Sequence, residues 1–189
     1  MIISELLIAS VSHETFLLCS ATIAHLSTLH PPSTYQILSS CILPCFLSHP
    51  ACSSSSIYIH DQLVSIIANL AKLPAAHAQI LKCKALQFLL DLLDVKNPQE
   101  TNSELAAALE RTVSKAAIAI ARLCLNNNMA RNVVRLGGLD RMVRLTRLEI
   151  WHSENISIAI MAAIRTIMSF DYPSQVDLSH GPCNNESFV

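Results

Sequence analysis

Apolar residues recur along this chain three and four positions apart, the spacing that lines one face of a helix. Proline, glycine or polar clusters close each run. The clearest stretch is Ser114–Arg147. It opens with the apolar run Ala116–Leu125 and breaks at Asn126-Asn127-Asn128, where Asn competes for local backbone hydrogen bonds and tolerates left-handed φ. A short helix follows, carrying Ala130, Val133, Val134 and Leu136. Gly137-Gly138 then turns the chain and lets two backbones approach. A third helix begins at Leu139 with Met142, Val143 and Leu145, and Arg141, Arg144 and Arg147 lie on its other face.

The same spacing extends to both sides. A helix is expected from Ile2 to Ser27, broken by His30-Pro31-Pro32, since proline disfavours helix at the residue before it. Short helices are expected over Ser33–Ser40 and Cys41–Leu47, and a loop over Ser48–Ser56. A long helix should span Ile57–Leu73 and stop at Pro74, followed by short ones at Ala75–Lys82 and Lys84–Asp94. After the polar stretch Val95–Asn102, Ser103 is placed to cap a long helix to Leu125, with Glu104 near its positive end. The last long helix covers Glu154–Phe170, and the polar residues beyond Asp171 form a disordered tail.

Four helix ends share a pattern, anchored at Leu26, Leu70, Leu123 and Ile167. The intervals are 44, 53 and 44 residues, close to the period of about 40–47 that armadillo and HEAT repeats show. The longer middle interval absorbs its excess in Val95–Asn102. The same shifts superpose Cys41, Ala85 and Gly138, then Ile42, Leu86 and Leu139, then Cys45, Leu89 and Met142. A small residue followed by apolar ones, three times in register, marks a shared packing position. The segment LCLNNNMARNVVRLGGLDRMVRL resembles an armadillo unit. The expected fold is all-α: an armadillo/HEAT-type right-handed α-solenoid of three to four units over residues 1–170, with a flexible tail over 171–189.

Composition agrees with packed helices, because half the residues are hydrophobic while only three are glycine. Charged residues are sparse and the net charge is −1, so no global attraction to nucleic acid or membrane follows. Most of the seven cysteines lie in apolar helical runs, which suits buried thiols in a reducing cytosol. The sequons at Asn155 and Asn185 carry no weight there. The N-terminal stretch has no basic leader and is interrupted by Ser4, Glu5, Ser12, His13 and Glu14, so neither a signal peptide nor a membrane span is expected. It opens like a helix entered midway, as a fragment or short form of a longer repeat protein would.

The chain ends Glu186-Ser187-Phe188-Val189. A terminal Val carboxylate with a hydroxyl two residues earlier resembles a class I PDZ ligand: an added strand, a carboxylate held by backbone amides, Val189 in an apolar pocket and Ser187 on a polar partner, with Phe188 between them. Cys41, Cys45, His49 and Cys52 are four zinc-ligand types in a short span. A metal-dependent enzyme built on them is the competing class, but Cys41 and Cys45 fill core positions of the repeat. Metal and cofactor are therefore not expected. No Ser/His/Asp arrangement or phosphate loop is present, so no enzyme is expected. Arg122, Arg131, Arg135, Arg141, Arg144 and Arg147 read as a solvated helix face. Without interleaved aromatics, nucleic acid is not expected to bind.

The armadillo resemblance implies that the last helix of each unit lines a concave groove. It places His25, Asn69, Arg122 and Thr166 where peptide-binding members carry a repeated Asn. Only Asn69 is that residue, and Ser65 and Ile118 stand where a companion Trp would be. An importin-like Asn ladder is not expected. The segment SKAAIAIARLCLNNNMARNVVRLGGLDRMVRL together with the terminal ESFV resembles the C-terminal region of the Inscuteable family. That resemblance implies a cortical, non-enzymatic adaptor of oriented cell division. It would couple a PDZ domain of a Par-complex scaffold to Pins/LGN-type spindle-orientation machinery. The sequence shows no counterpart of the Pins/LGN-binding segment, so that contact is not expected of this chain alone. The alternative is a general groove protein for an extended peptide, with the tail incidental.

Overall fold

A computed structural model of the protein describes residues 2–9, 12–40, 42–50, 56–94, 103–147 and 154–171. In chain order the helices are α1 (Ile2–Ala9), α2 (His13–Leu29), α3 (Pro31–Ser39), α4 (Ile42–Ser48), α5 (Ile57–Leu70), α6 (His77–Lys82), α7 (Ala85–Asp91), α8 (Ser103–Cys124), α9 (Asn127–Arg135), α10 (Gly138–Thr146) and α11 (Glu154–Asp171). A 3-10 turn, Pro74–Ala76, leads into α6. No strand occurs among the described residues.

The order is short, short, long, three times: α3–α4–α5, α6–α7–α8 and α9–α10–α11. Helices α1 and α2 supply the last two members of a fourth unit. The long helices stand side by side, with α5 against α2 and α8, and α8 against α5 and α11. This is the solenoid expected from the repeat. Of its four anchors, Leu70, Leu123 and Ile167 are buried, while Leu26 is half-buried on a helix with no earlier long neighbour among the described residues. Each fully buried Leu or Ile contributes about 1.5–3 kcal/mol of transfer free energy, and one continuous core collects them from Leu7 to Ile167.

Local chemistry sets the corners, and three differ from expectation. The single helix expected over Ile2–Ser27 is divided into α1 and α2. Ser12 is extended (φ −90°, ψ 134°) and its carbonyl accepts from the Phe16 amide at 3.0 Å. The corner lets Leu7 of α1 and Phe16 of α2 enter the same core, where both are fully buried. Helix α3 starts at Pro31, two residues early, because proline suits a first helical turn that needs no amide hydrogen. The Asn break is not left-handed: Asn126 is extended (φ −98°, ψ 124°) and its side chain accepts from the Met129 amide at 3.1 Å. It is the N-cap of α9. Of the loop expected over Ser48–Ser56, Ser48 instead closes α4, and residues 51–55 lie outside the described residues, as do the stretch 95–102 and the tail beyond 171.

The turn into the second short helix is left-handed twice in register. Gly137 has φ +72° before α10, and Lys84, one repeat earlier, has φ +62° before α7. A β-carbon in that conformation costs about 1 kcal/mol. Lys84 is exposed. Lys84→Gly is therefore expected to raise the unfolding free energy by roughly 0.5–1 kcal/mol, less the added entropy of the unfolded chain. A raised urea midpoint checks it, and a lowered one counts against left-handed strain at this position.

Cysteines behave as small core residues: Cys19 and Cys124 are buried and Cys45 and Cys83 half-buried, all free. Burial raises the Cys83 thiol and pushes Cys124 up to about 12. The folded Cys124 keeps its proton where the unfolded thiol, near 9, loses it. Stability from this group is thus complete below about pH 9 and lost as pH rises toward 12. At pH 8 a thiol reagent should modify Cys124 only at the rate of unfolding. Modification as fast as that of a free thiol would contradict its burial.

Candidate functional site

The four groove positions His25, Asn69, Arg122 and Thr166 fall on the four long helices, α2, α5, α8 and α11, in repeat register. Their environments differ. His25 is exposed and lines a depression of about 520 Å³ between α2 and α5 with Ala21, Thr22, Ala24, Thr28, Gln62 and Ser65. Thr166 is half-buried, donates to the Ala162 carbonyl at 2.8 Å and borders a second depression between α8 and α11.

Asn69 and Arg122 are joined to the preceding unit. The Asn69 amide donates to Ser27 Oγ at 2.9 Å and to Thr28 Oγ1 at 3.1 Å, both on α2, and its Oδ1 accepts from Lys72 Nζ at 3.0 Å. Both amide hydrogens are therefore used inside the fold, and only 9 % of the residue is exposed. Arg122 reaches back to α5. Of the last four carbonyls of that helix, those of Ile67, Asn69 and Leu70 accept from the amides of Ala71, Lys72 and Leu73, and that of Ala68 accepts from Arg122 Nη1 at 2.8 Å. A cation at the negative end of a helix is favourable. At Asn69 and Arg122 the position expected to line a groove ties one unit to the next.

Three depressions follow one another along the long helices. A third, of about 410 Å³, lies at the C-terminal ends of α5 and α8 and is lined by Ala71, Lys72, Pro74, His77, Arg122, Leu125 and Asn126. Arg122 and Leu125 are shared with the depression of about 350 Å³ between α8 and α11, which also holds Ile118, Ile158, Ala159 and Ala162. Partial burial lowers the Lys72 ammonium below its usual range, and the Arg122 charge lowers it further; burial also lowers Arg122.

Away from this wall, cations are neutralised across units. Arg141 pairs with Asp91 at 2.7 Å and Asp94 at 3.0 Å, and Arg144 with Asp94 at 2.8 Å. The arginine-rich centre is thus partly a set of inter-unit ion pairs, beyond the solvated face expected. Sequence reading missed Asp61, a buried carboxylate on α5 held by Lys115 Nζ at 2.8 Å and by Arg111 Nε at 3.9 Å from α8. The signal was present: one acid in the apolar run of α5, and two bases four residues apart one repeat later.

Of the zinc-ligand set, Cys41 and Cys52 lie outside the described residues, and the His49 ring stacks on Phe16 with centroids 4.1 Å apart. Ser187, Phe188 and Val189 also lie outside them. Among the described residues no helix is long and apolar enough to cross a membrane.

The family profile described as "Protein inscuteable C-terminal" matches residues 2–180. The chain belongs to that family. It is 31 % identical over 162 residues to the Protein inscuteable homolog of Mus musculus and 32 % identical over 162 residues to that of Homo sapiens, covering 82 % of this chain in each case. The match spans 28 % of each of those relatives. Two engineered proteins solved by crystallography share the fold, at TM-scores of 0.65 and 0.67 with 17 % and 19 % identity; they cover 89 % and 88 % of this chain, and 68 % and 37 % of their own chains are matched. A designed armadillo repeat protein in complex with the peptide (KR)4 matches at a TM-score of 0.51 and 17 % identity, over 87 % of this chain and 80 % of that one. The inscuteable C-terminal family here has the armadillo-type architecture.

Proposed function

We propose that this chain is a non-enzymatic scaffold of cell polarity and mitotic spindle orientation, acting at the cell cortex. Residues 1–170 form its armadillo domain, and residues 171–189 carry a PDZ ligand, Ser187-Phe188-Val189, to a Par-complex scaffold. A Pins/LGN-type adaptor enters this reading as the family's other partner, through a binding segment of which this chain shows no counterpart. The observation that carries it is membership of the inscuteable C-terminal family in a chain that ends Glu186-Ser187-Phe188-Val189. A carboxylate held by backbone amides and an aliphatic side chain in a pocket account for most of such an interaction. Removing Val189 from the full chain is therefore expected to abolish binding to PDZ domains of polarity scaffolds in a titration, with the fold unchanged by circular dichroism. Affinity equal to that of the intact chain would overturn the role of the terminus.

A second reading, an extended peptide along the long helices, is favoured by the row of depressions on α2, α5, α8 and α11. The designed armadillo protein is in complex with the basic peptide (KR)4. Lys72 and Arg122 would repel such a peptide here.

A further inference from the structure

Among the described residues, ion pairs serve unit-to-unit packing: Asp61 with Lys115 and Arg111, and Asp91 and Asp94 with Arg141 and Arg144. Lys72 and Arg122 differ. They line one depression, and among the described residues no carboxylate pairs with either; their hydrogen bonds go to the Asn69 side chain and the Ala68 carbonyl. Two cations held together without a counter-ion repel each other, and the half-burial of Arg122 strengthens the repulsion. The Lys72 ammonium is lowered first by burial and then by the Arg122 charge, in the direction that repulsion requires.

Beside this pair the surface turns apolar. Leu125 is 73 % exposed and Ile158 64 % exposed, and both border the depression between α8 and α11 with Ile118 and Ala162. Arg122 and Leu125 belong to both depressions, so the cationic end and the apolar trough form one continuous surface. Exposed aliphatic groups clustered in a trough mark a contact site more than a solvated face.

We propose that this surface binds an acidic-aliphatic polypeptide segment of a partner protein, with an Asp or Glu carboxylate between Lys72 and Arg122 and an aliphatic side chain in the trough lined by Ile118, Leu125, Ile158 and Ala162. A carboxylate there relieves the repulsion between the two cations and forms charge-assisted hydrogen bonds to both. A lipid surface fits less well, because polybasic membrane sites gather about four to eight cations and this one has two beside an apolar cleft. The site is distinct from the C-terminal PDZ ligand and extends the scaffold reading to a second class of partner.

The test uses the full chain and a displayed library of random 16-residue peptides, with phosphoinositide-containing vesicles as a separate arm. Selected peptides should carry an Asp or Glu close to Leu, Ile or Val. Lys72→Glu should weaken them at least tenfold, and Leu125→Asp should do likewise. Both positions are exposed, so the fold should survive each change, as circular dichroism will report. Removing Val189 should leave the selected peptides bound, which separates this site from the terminal ligand. Basic consensus peptides, no enriched peptide, affinity indifferent to Lys72→Glu, or binding confined to the vesicles would each overturn the proposal.

Discussion

Ile120→Ala is expected to lower the unfolding free energy by about 2–5 kcal/mol, the range for removing a large aliphatic side chain from a packed core. Ile120 is fully buried on α8, and α8 packs against α5 on one side and α11 on the other. Its neighbours Ala116, Ala117 and Ala119 are small and buried. They already allow close helix approach and have no spare atoms to fill a cavity. The loss therefore weakens the contact between consecutive units as well as the helix itself. In urea the midpoint should fall while the slope stays constant. Leu125→Ala, on the same segment but largely exposed, should cost no more than about 0.5 kcal/mol. Equal costs for the two changes would contradict the assigned core.

Gly138 should be the most restrictive small position. A β-carbon there would lie 2.7 Å from Val133 Cγ1, 2.8 Å from the Val133 carbonyl oxygen and 2.9 Å from Leu90 Cδ2. The two side chains can turn aside, but the carbonyl belongs to the backbone of α9 and moves only with that helix. Gly138→Ala is expected to cost about 1–3 kcal/mol through overpacking, and Gly138→Val more. The adjacent Gly137 provides the control. Nothing lies within 4 Å of its added β-carbon, so Gly137→Ala meets only the left-handed φ of +72°, at about 1 kcal/mol. Thermal unfolding of the two variants decides the order. If Gly138→Ala proves no worse than wild type, close approach of α10 to α9 and α7 is not what keeps glycine there.

The architecture was legible because the repeat is written in the core. Leu70, Leu123 and Ile167 recur in register and are buried, and Ala85 and Gly138 share a crowded position at the start of equivalent helices. Corners were less legible. The division of α1 from α2 depends on bringing Leu7 and Phe16 into one core, a tertiary demand that overrides a run of helix-compatible residues. Lys84 gave no warning of a positive φ, since only its alignment with Gly137 reveals the turn. The four expected groove positions fall on successive long helices, but their partners were not legible. The hydrogen bonds of Asn69 and Arg122 run to Ser27, Thr28 and Ala68 of the preceding unit or its helix end. Spacing fixes which face a residue occupies, while its partner depends on the neighbouring helix. Asp61 and its two bases were missed for the same reason, as Arg111 and Lys115 lie 50 and 54 residues further along the chain.

The long helices make a single continuous stack, and Asn69 and Arg122 help to tie its units. Native-state hydrogen exchange on the full chain tests it directly. The amides of α5 and α8 should be the most protected and should exchange together, with the free energy of global unfolding. Exchange of α8 at a distinctly lower free energy than α5, as a separately opening unit, would contradict the continuous stack.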